Sequence, residues 1–253
     1  MKYYNDLFKL GIFTFSDALN IIGNLSNTKH EISNLIKKGY INRIKKSLYS
    51  VIDLSTLDDY NNRFVIASHI TDDSFISYHS AFEFYACYNQ VFYDVYVSSL
   101  KKFQSFSYSD YNYRYFETNS LTQVEVIQGV KVTSIERTVV DSINMLGKVM
   151  DVEELVKCVD LIHMLNEEKI KEILLEYNKD VLYRKVGYFL SFYKNEFNLS
   201  DSFFVFCLEN SNINNKGYIS HNELNKLVYI KKWGIYAYKD IHQLVDKGGN
   251  IDV

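Results

Sequence analysis

Five polar side chains between residues 29 and 37 have the spacing of one exposed helix face. They are Lys29, His30, Ser33, Asn34 and Lys37. Ammonium groups neutralise phosphates, whereas imidazole, hydroxyl and amide groups can form hydrogen bonds with base edges. The pattern predicts a helix that reads double-stranded DNA, with His30, Ser33 and Asn34 on base edges and the two lysines on phosphates.

The predicted contact surface continues past this helix. Arg43, Lys45 and Lys46 come next in the chain and are assigned to phosphates. The full predicted DNA-binding set is Thr28, Lys29, His30, Ser33, Asn34, Lys37, Arg43, Lys45, Lys46 and Tyr49. If each basic residue neutralises one phosphate, the affinity should fall with salt at a slope of about −0.9 per contact.

Three short helices must position these side chains. Gly11, Gly23 and Gly39 each follow a short amphipathic run, and each can supply the left-handed residue that ends a helix. The first helix contains Leu7, Phe8 and Leu10, and the second runs from about Thr14 to Ile22. The third helix holds the candidate contacts.

The third helix has the clearest boundaries in the sequence. Thr28 and Glu31 have the spacing of a capping box, which predicts that the helix begins at Thr28. Ile32, Leu35 and Ile36 form its buried stripe. The remaining positions, which carry the polar side chains, therefore face outward.

A basic hairpin follows this helix. Residues 40–53 predict two short strands joined by a polar turn at residues 45–47. Three helices and a hairpin predict a winged helix-turn-helix domain over residues 1–58, with its third helix in the major groove and the hairpin on the flanking backbone. The alternative is a small helical lobe with a solvated charged face.

The charge distribution favours the first interpretation. Residues 1–52 hold eight lysines and arginines against three acidic residues, a net charge of +5. The remainder holds 20 basic and 28 acidic residues, a net charge of −8. A basic head on an acidic body indicates a polyanion as the partner of the head.

Residues 59–253 predict a larger mixed α/β domain, so the expected fold class is α+β. Strands are expected over residues 91–97 and 111–116, and Tyr111, Tyr113 and Tyr115 share one face of the second strand. A half-buried sheet face is the favoured interpretation. The alternative is a stacking platform for single-stranded nucleic acid, served by the nearby Lys101, Lys102 and Arg114.

A second capping-box spacing, Thr133 with Glu136, predicts a helix in the middle of this domain. Arg137 and Asp141 lie four residues apart on that helix and are expected to pair on its surface. The pair is interpreted as a structural ion pair.

The sequence lacks the patterns of common catalytic sites. The carboxylates of Asp94, Glu117 and Glu125 have no D-x(n)-E-x-K arrangement for a nuclease metal, and the histidines are scattered. Neither a phosphate-binding loop nor a nucleophile elbow occurs. We therefore expect no enzyme activity, no catalytic residue, no metal and no cofactor.

Cysteine spacing and hydropathy bear on the compartment. Cys87, Cys158 and Cys207 are far apart and odd in number, which predicts reduced core residues. The N-terminus has no signal-peptide pattern, and no apolar run is long enough to span a bilayer. A cytoplasmic protein without a membrane partner is expected.

Residues 212–224 superficially match a calcium loop. Asn212 would be position 1, Gly217 position 6 and Glu223 position 12. Lys216, however, puts an ammonium group at position 5, where the ion needs an oxygen. We predict instead an Asn-rich turn that bends at Gly217, followed by a helix near His221 that Ser220 caps.

Several stretches resemble one known family. Residues 11–14, 35–41, 43–46 and 48–49 resemble the N-terminal domain of AbiEi-like antitoxins from type IV toxin-antitoxin (abortive phage infection) operons. The second domain of that family is similar to this chain at Phe75 to Ala81 with Tyr85, at Glu136-Arg137-Thr138 with Asp141, and at Arg184-Lys185 with Gly187-Tyr188 and Leu190. Two positions depart from the family, which usually has glycine at Ser47 and in place of Ala86-Cys87.

The resemblance implies a DNA-binding antitoxin that represses its own operon by binding operator DNA. It also implies a second role, in which the acidic body counteracts a co-encoded nucleotidyltransferase-like toxin. The rival interpretation is a plain winged-helix transcriptional regulator whose C-terminal domain senses a ligand or dimerises. A nuclease fused to a DNA-binding head is a third class, for which the sequence offers no site.

Overall fold

A computed structural model describes residues 3–57, 62–88, 90, 92–222 and 224–245. The α-helices are α1 (Tyr4–Phe8), α2 (Phe15–Ile22), α3 (Leu25–Lys37), α4 (Arg63–Ser68), α5 (Tyr78–Phe84), α6 (Ile135–Asn144), α7 (Val152–Val159), α8 (Glu167–Tyr177), α9 (Asp180–Leu190) and α10 (Asp201–Glu209). The strands are β1 (Ile12–Thr14), β2 (Ile41–Lys45), β3 (Leu48–Val51), β4 (Phe75–Ile76), β5 (Asp94–Ser99), β6 (Phe106–Tyr108), β7 (Tyr111–Glu117), β8 (Val124–Ile127), β9 (Val130–Thr133), β10 (Gly217–Tyr218), β11 (Val228–Ile230) and β12 (Ile235–Ala237). Short 3₁₀ helices cover Ser191–Tyr193, Leu224–Lys226 and His242–Leu244. The fold class is α+β.

The chain forms two compact units that interleave along the sequence. The first contains the described residues up to Ile76, together with Phe92–Asn119 and Val126–Val132. The second contains the described residues of 77–91, Ser120–Glu125 and the chain from Thr133 onward. The predicted division into 1–58 and 59–253 stays a prediction.

Helices α1, α2 and α3 surround a small antiparallel sheet with the strand order β1-β3-β2. Their shared core contains Phe13, Ala18, Ile32, Leu35 and Tyr49. The three glycines predicted to end helices all adopt left-handed backbone conformations, with φ values of 67°, 81° and 69° along the chain. The left-handed glycines are therefore confirmed, whereas the predicted extent of the first helix is wrong, because α1 ends at Phe8 and Leu10 lies outside it.

The predicted start of α3 is wrong by almost one turn. The side chain of Asn24 accepts hydrogen bonds from the backbone N–H groups of Ser26 and Asn27, at 3.0 and 3.1 Å, so the helix begins at Leu25. The hydroxyl of Thr28 instead donates to the Asn24 carbonyl at 2.7 Å. Asparagine is as good an N-cap as threonine, and here it satisfies two free N–H groups at once.

A six-stranded mixed sheet with the order β6-β7-β5-β4-β9-β8 lies mostly in the first unit. Strands β5 and β7 run parallel, and β4 is antiparallel to β5 and parallel to β9. The strand expected over residues 111–116 is confirmed as β7. The other expected strand begins only at Asp94, and residue 91 lies outside the described residues.

Helix α6 is the centre of the second unit and packs against α5, α7, α8 and α9. Its cap is Ser134, whose hydroxyl accepts from the Arg137 N–H at 3.2 Å; Thr133, the predicted cap, belongs to β9. Arg137 and Asp141 pair at 3.2 Å, but Arg137 is only 1% exposed, so the predicted surface location is wrong. Helices on several sides enclose the pair.

Two further contacts explain how that buried ion pair is accommodated. The Arg137 guanidinium also donates to the carbonyls of Ser120 and Thr122, at 3.0 and 2.5 Å. The Tyr177 hydroxyl donates to the second carboxylate oxygen of Asp141 at 2.5 Å. Burial raises the pKa of Asp141, while these donors oppose the increase by stabilising the charged form.

A second buried arginine organises the stretch that matches a calcium loop. The Arg184 guanidinium donates to the Asn215 and Gly234 carbonyls, at 2.5 and 2.9 Å, and pairs with Asp180. The backbone N–H of Asn212 binds the same Asp180 carboxylate. An arginine of α9 thus holds the loop from inside the protein.

The predicted roles of Gly217 and Ser220 need correction. Gly217 lies in β10 and does not have a left-handed backbone conformation. A Cβ at this position would come within 2.7 Å of a Val181 methyl group, so close packing explains why the residue is glycine. The Ser220 hydroxyl accepts from the Asn222 N–H at 3.1 Å, and the following 3₁₀ helix starts at Leu224. The predicted helix near His221 is wrong. Glu223 lies outside the described residues.

Strands β10, β11 and β12 form a small sheet with β12 in the centre. Strand β10 is parallel to β12, and β11 is antiparallel to it.

Cys87, Cys158 and Cys207 are free and buried, as predicted. Of the helices in the described ranges, α3 is the longest at 13 residues, and none has the length and apolar character of a membrane span.

Candidate nucleic-acid interface

Helix α3 separates its apolar and polar residues cleanly. Ile32 and Leu35 are buried in the core shared with α1 and α2. Lys29, His30, Ser33 and Lys37 are exposed, and Asn34 is half-buried at the border of the exposed face. The structure therefore brings five of the predicted contact residues together on one side of one helix.

The C-terminal end of α3 sets the path of the chain into the hairpin. The N–H of Gly39 bonds to the Ile36 carbonyl at 3.0 Å, and the N–H of Tyr40 bonds to the Leu35 carbonyl at 2.9 Å. This pair of bonds around a left-handed glycine is the Schellman ending of a helix. Lys38, at the C-cap, is an exposed cation that the predicted set omitted, although its neighbour Lys37 was included.

Strands β2 and β3 form the basic hairpin, and Lys46 and Ser47 are its turn. Ser47 has a φ of 65°, a left-handed value that glycine would adopt more easily. This conformation costs a non-glycine residue about 1 kcal/mol. The Ser47 carbonyl accepts a hydrogen bond from the Phe15 N–H at 2.9 Å, which connects the turn to the start of α2.

The basic side chains of the hairpin have different surroundings. Arg43 and Lys46 are exposed, and the Arg43 guanidinium lies 5.7 Å from the centre of the Tyr49 ring. The Lys45 ammonium lies 5.1 Å from the ring centres of both Phe103 and Phe106. Burial lowers the pKa of Lys45. Lys45 is thus a cation held between two aromatic rings, whereas Arg43 and Lys46 face solvent.

Two members of the predicted set are not on the surface. Thr28 is fully buried, and its hydroxyl is used by the Asn24 carbonyl. Tyr49 is buried and stacks on Phe13, with their ring centres 5.5 Å apart. We therefore exclude Thr28 and Tyr49 from the candidate interface. Thr28 lies four residues before Ile32 and seven before Leu35, so helix periodicity already puts it on the buried face of α3.

Among the residues that the structure describes, no three His, Cys, Asp or Glu side chains lie close enough together to hold a metal ion. A cavity of about 350 Å³ in the second unit is lined mainly by polar residues such as Asp151, Ser220 and Asn222. The exposed face of α3 and the hairpin turn form the candidate interface.

Comparison with known proteins bears on the fold alone. No protein-family model matches the sequence, and no curated protein matches it. The fold is similar to that in the crystal structure of the RV2827C protein from Mycobacterium tuberculosis, with a TM-score of 0.62. The similarity covers 92% of this chain and 88% of that chain, at 10% sequence identity. Such a low identity gives a shared architecture and says nothing about activity.

Proposed function

We propose that the protein is a DNA-binding antitoxin that represses its own operon and counteracts a co-encoded nucleotidyltransferase-like toxin. The observation that carries the proposal is the exposed face of α3, where Lys29, His30, Ser33 and Lys37 lie opposite the buried Ile32 and Leu35. A helix of this composition fits the major groove, because it offers both phosphate and base-edge partners.

In this proposal, residues 1–58 act as a winged helix-turn-helix domain. Only Gly23 and Asn24 separate α2 from α3, which is the short connection that the motif uses. Helix α3 is the recognition helix, and the hairpin of β2 and β3 is the wing on the flanking backbone. His30, Ser33 and Asn34 read base edges, while Lys29 and Lys37 contact phosphates.

The wing contributes Arg43 and Lys46 to the phosphate contacts. Lys45 has a different role, because Phe103 and Phe106 already surround its ammonium group. It holds the turn end of the wing in place through two cation–π contacts. A substitution at Lys45 would therefore mix a change in stability with a change in DNA affinity, and it is a poor test of binding.

The antitoxin half of the proposal is supported by the sequence resemblance. Its signature residues Arg137, Asp141 and Arg184 are buried and hydrogen-bonded within the second unit, so they maintain the fold of that unit. A surface that acts on the toxin would have to be formed by other residues. The proposed partners are double-stranded operator DNA and the toxin.

The first test measures binding to the DNA upstream of the protein's own gene. Fluorescence anisotropy with that duplex and with a scrambled duplex, over a salt series, should give tighter binding to the upstream duplex. The double substitution Lys29→Glu with Lys37→Glu should weaken binding to both duplexes and reduce the salt slope by about 2, since two phosphate contacts are lost.

The matched control is Lys148→Glu with Lys179→Glu, which changes the net charge equally at two exposed lysines of the second unit. It should leave the salt slope almost unchanged. Equal effects of the two double variants, or equal binding to both duplexes, would refute the assignment of α3. Rescue of growth in cells that produce a toxin encoded next to the gene tests the second role. Specific DNA binding without rescue would favour the plain regulator.

A further inference from the structure

The small C-terminal sheet presents a row of three tyrosines. Tyr218 in β10 lies opposite Tyr236 in β12, and Tyr229 in β11 lies opposite Tyr236 from the other side. The ring centres are 5.0 Å apart for the first pair and 5.3 Å for the second. The row therefore crosses all three strands, one ring per strand.

This row is on the outer face of the sheet. Ile235 and Ala237, which flank Tyr236 in β12, are buried, so the alternation of a strand turns the Tyr236 ring outward. Tyr229 is 45% exposed, and Tyr218 and Tyr236 are half-buried because they stack on each other. The exposed ring of His221 lies 5.5 Å from Tyr218 and extends the row.

The tyrosine hydroxyls are available to a ligand. In the described part of the chain, no group forms a hydrogen bond with the hydroxyl of Tyr218, Tyr229 or Tyr236. In contrast, the hydroxyl of the buried Tyr188 donates to the Tyr238 carbonyl, and the hydroxyl of the buried Tyr193 donates to the Asp160 carboxylate. A phenol can donate and accept, so these three hydroxyls offer contacts to a partner that presents hydroxyl groups beside flat rings.

Lysines flank the row at both ends of the strands. Lys216 precedes β10, and Lys231 follows β11. Gly217 and Ile230, which are next to these lysines, both pair with Ile235 of β12. The two lysines therefore lie at the same end of the sheet. Lys226 and Lys239 flank the opposite end. Residues 216–239 contain five lysines and one acidic residue, in a body with a net charge of −8 outside the first 52 residues.

We propose that this tyrosine face binds single-stranded RNA. Unpaired bases stack on exposed aromatic rings, and lysines beside a stacking row neutralise the phosphates of the same strand. Among nucleic acids, RNA is favoured because its 2′-hydroxyls can bond to the three free phenol groups. The lysines of the patch attract an anionic partner and repel a basic one. The row of flat rings favours bases over peptide side chains. The site is independent of the α3 face.

The test uses the full-length protein with Lys29→Glu and Lys37→Glu in place, so that the α3 face does not contribute. The probe is a fluorescein-labelled, unstructured RNA of 12 nucleotides, followed by anisotropy. Single-stranded DNA of the same sequence and an RNA duplex are the comparison probes. Binding should be tightest to the single-stranded RNA.

Three variants separate stacking, hydroxyl and charge contributions. Tyr229→Ala with Tyr236→Ala should weaken RNA binding about tenfold or more, because it removes the exposed Tyr229 ring and the Tyr236 ring that packs against it. Replacement of all three tyrosines by phenylalanine should retain most of the binding but reduce the preference for RNA over DNA. Lys216→Gln with Lys231→Gln should reduce the salt slope by about 0.7 for each lost phosphate contact.

Controls keep the result interpretable. Trp233, the single tryptophan, is buried two residues before β12, so its emission shows whether the small sheet is intact in each variant. Tyr93→Ala removes an exposed tyrosine of the first unit and should not change RNA binding.

Four outcomes would overturn the proposal. These are unchanged RNA affinity in the folded tyrosine-to-alanine variant, equal loss with Tyr93→Ala, equal affinity for DNA and RNA single strands, and tighter binding to the duplex. Concentration-dependent dimerisation that the tyrosine variant abolishes, without RNA binding, would assign the face to a second copy of the chain.

Discussion

Lys185 provides a quantitative test of the packing in the second unit. It lies in α9, is only 9% exposed, and has no hydrogen-bond or ion-pair partner in the described residues. The one charged group that shifts it is another cation, Lys148. Burial, with a smaller contribution from Lys148, lowers the pKa of Lys185 to about 8, from an ordinary value of 10.5.

The substitution Lys185→Met should stabilise the protein at neutral pH. Methionine has a similar length and no charge, so it removes the cost of burying an ammonium group. Each pKa unit corresponds to about 1.4 kcal/mol, so the difference between 10.5 and about 8 sets an upper limit of about 3 kcal/mol for the electrostatic gain.

The pH dependence has a definite sign. Below pH 8 the lysine is protonated in both folded and unfolded protein, and the folded state bears the full cost. Between about pH 8 and 10.5 the folded state loses the proton first, so the free energy of unfolding of the unsubstituted protein rises relative to that of the variant. Above 10.5 both states are neutral at this position, and the electrostatic advantage of methionine disappears.

The assay is urea unfolding from pH 7 to 10.5, followed by Trp233 emission. Ionisation of the 22 tyrosines also affects stability in this range, but it is common to both proteins and cancels in their difference. Lys179→Met, at an exposed lysine just before the same helix, is the matched control for the loss of one ammonium group and should change the stability at pH 7 less than Lys185→Met does. A Lys185→Met difference that is independent of pH, or a variant that is less stable at pH 7, would refute the reasoning.

Two further substitutions test contacts of the second unit. Gly187→Ala should destabilise it by about 1–3 kcal/mol, because the added Cβ would overlap the Trp233 ring. The urea midpoint and the tryptophan emission should both shift, and an unchanged midpoint would contradict this packing. Tyr177→Phe should lower the free energy of unfolding by about 1.5–3 kcal/mol, because it removes the hydroxyl that donates to the buried Asp141. The exposed Tyr93 is the control, and Tyr93→Phe should be neutral. Equal unfolding midpoints for these two variants would contradict the proposed role of the Tyr177 hydroxyl.

Local signals in the sequence predicted the helices of the N-terminal region well. A glycine that ends a helix and an apolar stripe such as Ile32 and Leu35 act within one or two turns, so they can be recognised without knowledge of the tertiary fold. The same locality explains the error at Thr28. Asn24 and Thr28 are both suitable caps, and the three residues between them are exposed, so no apolar stripe marks this first turn of the helix.

Long-range contacts explain the other errors. Arg137 and Asp141 have the spacing of a surface ion pair, and nothing nearby in the sequence shows that α6 is enclosed by other helices. Lys45 has the composition of a phosphate contact, but the rings that surround it come about sixty residues later in the chain. The tyrosine row depends on the parallel pairing of β10 with β12, which periodicity cannot predict.

The interleaving of the two compact units has a consequence for synthesis on the ribosome. The first unit includes Val126–Val132, so it lacks a strand of its larger sheet until about half of the chain has been translated. The N-terminal helices and hairpin have local contacts and can form early, whereas β4 must wait for its parallel neighbour β9. Nascent chains that stall before residue 130 would expose the edge of that sheet, which makes this stage of translation the most vulnerable to aggregation.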